Sequence, residues 1–162
     1  MKKINFLNQI KKEGKIGLVE PSKEISESYL IKSENCFKSA KILFENHLYE
    51  NATSEAYYCM YNSLLALLFR IGIKSENHSA SIIVFEELFN ELKLAEIISD
   101  AKKERIDKQY YIEFQQISKI NQKFCGEIIL NSEEFKLKIR VLILNLNNEK
   151  IFLLRKTFEN LF

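Results

Sequence analysis

An all-α fold is what this sequence predicts, and three observations carry the expectation. Residues from Ala56 to Phe69 are apolar on nearly every helical face, a composition that only a buried, central helix tolerates. Four glycines and one proline in 162 residues supply too few turns for strands at short regular spacing. Elsewhere, apolar residues recur at helical spacing with Lys and Glu between them. The expected architecture is an up-and-down antiparallel bundle of four principal helices with short additional helices at the ends. At this length and 46% hydrophobic content it forms one domain: a lead-in over 1–22, then the bundle over 23–162.

Taken in order, the first fourteen residues read as a short amphipathic helix with Phe6, Leu7 and Ile10 inward, stopped at Gly14. Lys15 to Glu20 is an extended stretch punctuated by Pro21, and Ser22 is positioned as the N-cap of the next helix. That helix runs from Lys23 to about His47, with Ile25, Tyr29, Cys36, Ala40 and Leu43 as its inward stripe. The central helix follows from Asn51, and a connection this short makes the two antiparallel neighbours. Its apolar run is far shorter than the ~20 residues a membrane span needs. Gly72 ends it at the left-handed C′ position.

A third helix from about Ser79 to Glu91 buries Ile82, Ile83, Phe85, Phe89 and Leu88. A fourth, from Leu94 to about Tyr110, carries Leu94, Ile97, Ile98, Ala101 and Arg105 on one side. Residues 111–117 alternate at period two and read as an extended connection. Ser118 is the cap of a long helix whose face is Phe124, Ile128, Phe135, Ile139, Leu142 and Leu146. The break falls at Asn147-Asn148, before a last helix with Ile151, Leu154, Phe158 and Leu161 inward.

A formal charge of +2 lacks the large basic excess of non-specific nucleic-acid binders, so DNA is not an expected partner and any RNA contact needs a local patch. Three cysteines on apolar faces read as buried thiols, and two histidines without metal-ligand spacing leave no metal site and no cofactor to expect. The N-terminus lacks signal-peptide features, which points to the cytoplasm.

Two segments then resemble the HEPN superfamily, close to its UPF0332-like branch. One is Ala56-Tyr57-Tyr58-Cys59-Met60-Tyr61-Asn62, followed by leucines, the Gly72 turn and His78 at the start of the third helix. The other is Arg105-Ile106-Asp107-Lys108-Gln109-Tyr110-Tyr111, similar to an Arg-x4-[His/Tyr] element late in that bundle. The resemblance implies a homodimer with the two motifs facing one cleft, and a minimal nucleotidyltransferase partner in a toxin–antitoxin-type module. It also implies metal-independent RNase activity. That chemistry needs a group titrating near neutrality to move the 2′-hydroxyl proton and a fixed cation at the phosphorane, the roles His and Arg serve. Here the motif's His position is Tyr110, and a phenol with a reference pKa of ~10 is a poor proton shuttle at pH 7.

Under the resemblance Arg105 is the phosphate clamp, and Tyr110 or His78 takes the proton role. Lys102, Arg105, Asp107 and Tyr111 are the candidates for binding substrate or nucleotide. The structural alternatives are a helix-start hydrogen bond for His78 and a buried ion pair for Arg105. Asp107 reads equally as a solvated or capping carboxylate, and Lys102 as part of a solvated basic face. Tyr110 and Tyr111 are core or interface aromatics, base-stacking surfaces or adenylylation targets. Three functions compete: an RNase-like toxin, a non-catalytic HEPN dimer that binds nucleotide or a protein partner, and a helical interaction protein with no ligand site.

Overall fold

The computed structural model describes residues 2–110 and 122–162, with backbone alone over 105–110. Seven helices and two short strands make up the described part. They are α1 (Lys2–Lys12), β1 (Ile16–Leu18), α2 (Lys23–Glu45), α3 (Tyr49–Arg70), β2 (Ile73–Ser75), α4 (His78–Phe89), α5 (Leu92–Tyr110), α6 (Gln122–Leu144) and α7 (Asn148–Glu159). The all-α expectation holds. The period-two stretch 111–117 and the Ser118 cap lie outside the described residues.

Helix α3 is the axis of the molecule. Thirteen of its twenty-two residues are buried, so it contributes core in every direction rather than along one stripe. It packs most extensively on α2 and next on α6. Two local signals fix its neighbours in the chain. The Ser22 side chain accepts from the Ile25 amide and starts α2, and Gly72 adopts φ +77° just past the end of α3.

The face that α2 turns to α3 differs from the sequence expectation. Ile25 is 43% exposed, while Ser26, Ser33, Phe37 and Ala40 are buried. Small residues let the two backbones approach, and a buried hydroxyl costs little once it is hydrogen-bonded. Ser33 donates to the Cys59 carbonyl (2.8 Å) and shares a 2.6 Å bond with the Ser63 hydroxyl. Cys36, Tyr29 and Leu43 sit at the margin, packed against the core but partly exposed.

The pairing of β1 with β2 was not foreseen. Lys15 to Glu20 is extended, as expected, but its partner lies beyond α3, with Ile16 opposite Ser75 and Leu18 opposite Ile73 in antiparallel register. Flanking bonds from the Val19 amide to the Gly72 carbonyl and from the Glu76 amide to the Lys15 carbonyl lengthen the ribbon. Arg155 of α7 then ties its base, donating from Nη1 to the carbonyls of Val19 (2.7 Å), Ile71 (3.1 Å) and Gly72 (2.9 Å). This knot fixes the direction in which the chain enters α4, and so the place of His78.

Candidate functional site

The candidate site forms where the N-terminus of α4 meets the tyrosines of α3. Asn77 caps α4, its side chain accepting from the Ala80 amide at 2.9 Å. Behind the cap, Ser81 donates to the Asn77 carbonyl or to Ser75, at 3.0 and 2.9 Å. His78, the first helical residue, is thereby set against α3.

Two tyrosines one turn apart on α3 receive the imidazole. The hydroxyl of fully buried Tyr57 is hydrogen-bonded to His78 Nδ1. The Tyr61 ring lies parallel to the imidazole, with centroids 3.8 Å apart and planes 9° apart. Tyr57 and Tyr61 are themselves parallel at 6.1 Å, so ring, ring and imidazole form one layered group. Burial pushes the Tyr61 phenol above its usual range, partly opposed by its contact with the Ser81 hydroxyl. Tyr61 therefore stays neutral at working pH and serves as a stacking surface for the imidazole. Because the Tyr57 hydroxyl meets Nδ1, the tautomer of His78 is tied to which partner of that contact donates.

A cation reaches the same place from α5. Lys102 Nζ donates to the hydroxyl of Ser79, the residue next to His78. Ser79 and Lys102 line a cleft of about 510 Å³ between α4 and α5, whose mouth also carries Lys3, Glu86, Asp100 and Lys103. Lys3 pairs with Glu86 at 2.6 Å and Lys103 with Asp100 at 3.0 Å, which leaves the rim of mixed sign. Arg105 and Tyr110 follow Lys102 along α5, Arg105 about 4.5 Å further at 1.5 Å per residue. The side chains of Arg105, Asp107 and Tyr110 lie outside the described residues, as does the whole of Tyr111.

The structure thus brings His78 and Lys102 to adjacent residues of one helix start. Tyr57, Tyr61 and Ser79 are the members that reading the sequence missed. Spacing alone reads the tyrosines as core, which they also are, and Ser79 as the start of a helix. Their i, i+4 spacing on α3, opposite a helix opening on His, was the available signal.

Among the described residues no group of three or more His, Cys, Asp or Glu is placed to hold a metal ion, and no helix is long and apolar enough to cross a membrane. The cysteines are unpaired.

The layered Tyr57–Tyr61–His78 group joins α3 to the start of α4, with Lys102 of α5 beside it. The chain belongs to the HEPN domain family: the family model matches residues 26–142, from α2 almost to the end of α6. Two relatives refine the placement. A Methanocaldococcus jannaschii protein described as a "Putative toxin" is 39% identical over 66 residues, which is 40% of this chain and 49% of that protein. A UPF0332 protein of Archaeoglobus fulgidus is 27% identical over 109 residues, 67% of this chain and 87% of its own length. Both accord with the UPF0332 branch. The chain matches about half of the first relative's length and most of the second's.

Proposed function

We propose that this chain is the HEPN component of a cytoplasmic toxin–antitoxin-type module, paired with a minimal nucleotidyltransferase, and that as a homodimer it cleaves RNA without a metal ion. The observation that carries the reading is His78, held at Nδ1 by Tyr57 and stacked on Tyr61, one residue from the Ser79–Lys102 contact. A toxin-named relative supports the biological setting.

In this reading His78 Nε2 takes the proton of a ribose 2′-hydroxyl. The 2′-oxygen forms a bond to phosphorus, and the bond to the 5′-oxygen breaks. Lys102 and Arg105 hold the non-bridging oxygens as negative charge gathers there. Asp107 orients the arginine, Tyr111 stacks a base, and Tyr110 protonates the leaving oxygen. General acid–base help of this kind is worth about 10²–10⁴-fold in rate.

The test is cleavage of a labelled RNA by purified protein in excess chelator. Wild type is expected to cut, Arg105→Ala to lose the activity, and His78→Gln to lose at least about tenfold if the imidazole moves the proton. Activity that needs a divalent ion, or that survives both substitutions unchanged, would overturn the reading.

A second reading is favoured by Tyr110, which stands where an active motif has His. The dimer then binds nucleotide or its protein partner through the same residues without cutting RNA. Under it, Arg105→Ala alters ligand or partner affinity in a protein that never cleaves.

A further inference from the structure

Helix α6 is apolar on two opposite faces. One face, with Cys125, Ile128, Ser132, Phe135 and Ile139, is buried in the core. The other carries Leu130, Leu137, Val141 and Leu144, which are 66%, 55%, 52% and 81% exposed. Steps of seven, four and three residues make these four one line along the helix, about 21 Å long at 1.5 Å per residue. A bundle helix needs one apolar stripe, and a second left in water marks an interaction surface.

We infer that this outer stripe is where two copies of the chain meet, α6 against α6, antiparallel about a twofold through Leu137. The charges beside the stripe select that occupant. Glu134 and Lys138 border it on one side, Glu133 and Arg140 on the other, and all four are exposed. On each side the acid lies N-terminal to Leu137 and the base C-terminal. An antiparallel twofold sets Glu134 against Lys138 of the second copy and Glu133 against its Arg140, four opposite-charge pairs in all. A parallel pairing would set Glu134 against Glu133 and Lys138 against Arg140. Arg140 also lies 3.7 Å from Glu34 of its own chain, which orients it without neutralising the pattern.

The same register accounts for a groove. Between α2 and α6 lies an opening of about 650 Å³ lined by Phe37, Phe44, Ile129 and Leu130. Gly126 also lines it, and a Cβ there would meet nothing nearer than Phe44 at 3.8 Å. The twofold places Leu144 of the second copy, the most exposed residue of the stripe, opposite Leu130 at this groove. Knob and hole are then supplied by one surface, as an isologous dimer requires.

The inference rests on the homodimer of the preceding reading but not on its chemistry, which the cleavage assay tests separately from self-association. Sedimentation equilibrium of the full chain tests it. Wild type is expected to dimerise, and Leu137→Glu, which sets two carboxylates on the axis, to sediment as a monomer with an unchanged circular dichroism spectrum. Glu134→Lys should weaken the dimer on the order of tenfold at low salt, and adding Lys138→Glu should restore it. A wild type that stays monomeric at every accessible concentration overturns the proposal. So does a dimer indifferent to Leu137→Glu, or a double swap that fails to recover affinity. Should Leu137→Glu misfold, the charge reversal and its rescue decide alone.

Discussion

Helices α3 and α6 share one sequence property, apolar residues beyond a single stripe, and meet opposite fates. α3 is covered by α2 and α6, by α5, and by β2 and α4. In α6 one apolar side is covered and the other faces water. Surplus apolar residues thus have two physical outcomes, a central position or an unfilled interface. What separates them is charge. Between Ala56 and Phe69 α3 has no charged residue, whereas the exposed stripe of α6 is bordered by acids and bases in an ordered pattern. Under the proposed self-association, those ordered charges are what a second copy would meet.

That contrast can be broken at either helix, and the largest effect is expected in α3. Leu64→Ala removes a fully buried side chain at the centre of the core and should cost about 3 kcal/mol in urea unfolding. Leu137→Ala, the same change on the open face of α6, should stay within about 0.5 kcal/mol when monomeric protein is unfolded. Equal costs would erase the distinction.

Next in size is Gly72→Ala at the end of α3. The new Cβ would stand 1.9 Å from Arg155 Nη1 and 2.5 Å from the Val19 carbonyl oxygen, at φ +77°. Thermal unfolding should report a loss of roughly 2 kcal/mol or more. Because this knot sets the entry to α4, the variant should also weaken whatever His78 does.

A smaller effect sits where α6 meets α2. The Lys136 ammonium, 2.8 Å from Glu34 and over the Phe37 ring, holds the Glu34 carboxyl below its usual range. The folded-state value is depressed, so the pair's contribution is fully present above the ordinary carboxylate range. It fades as pH falls below 4.5 through the folded-state value. Glu34 is one-third exposed, so Lys136→Met should cost no more than about 1 kcal/mol at neutral pH and flatten the acid limb of the stability curve. An acid limb identical to wild type would assign it to other carboxylates.

The smallest effect has the opposite sign. Gly126→Ala fits its site without a close contact and should stabilise the monomer by roughly 0.5–1 kcal/mol through helix propensity. Gly126→Leu, which fills the groove, should leave stability similar and weaken self-association.

The helices were legible because their signals are local: Ser22 as a cap, Asn147-Asn148 as a break, Gly72 as a stop, and apolar spacing along α3 and α6. What the sequence hid depends on partners distant in the chain. The strand pair joins Ile16 to Ser75 across two helices, and nothing within Lys15–Glu20 announces it. The face of α2 was misjudged because a serine is counted as polar in any periodicity, although Ser33 is buried by bonding across to Cys59 and Ser63. Of the site, His78 and Lys102 were legible by motif and by charge. Tyr57 and Tyr61 read as core because burial in α3 and contact with His78 ask for the same residue type here. Arg105, Asp107, Tyr110 and Tyr111 are assigned by resemblance and by their places along the chain.

RNA cleavage in excess chelator, by wild type and His78→Gln side by side, tests the central claim most directly. The account predicts metal-free cutting by wild type, with products ending in a cyclic phosphate, and its loss in the variant even though the protein remains folded. Intact RNA in both lanes, or equal cutting in both, would contradict the assignment of His78 to the chemistry.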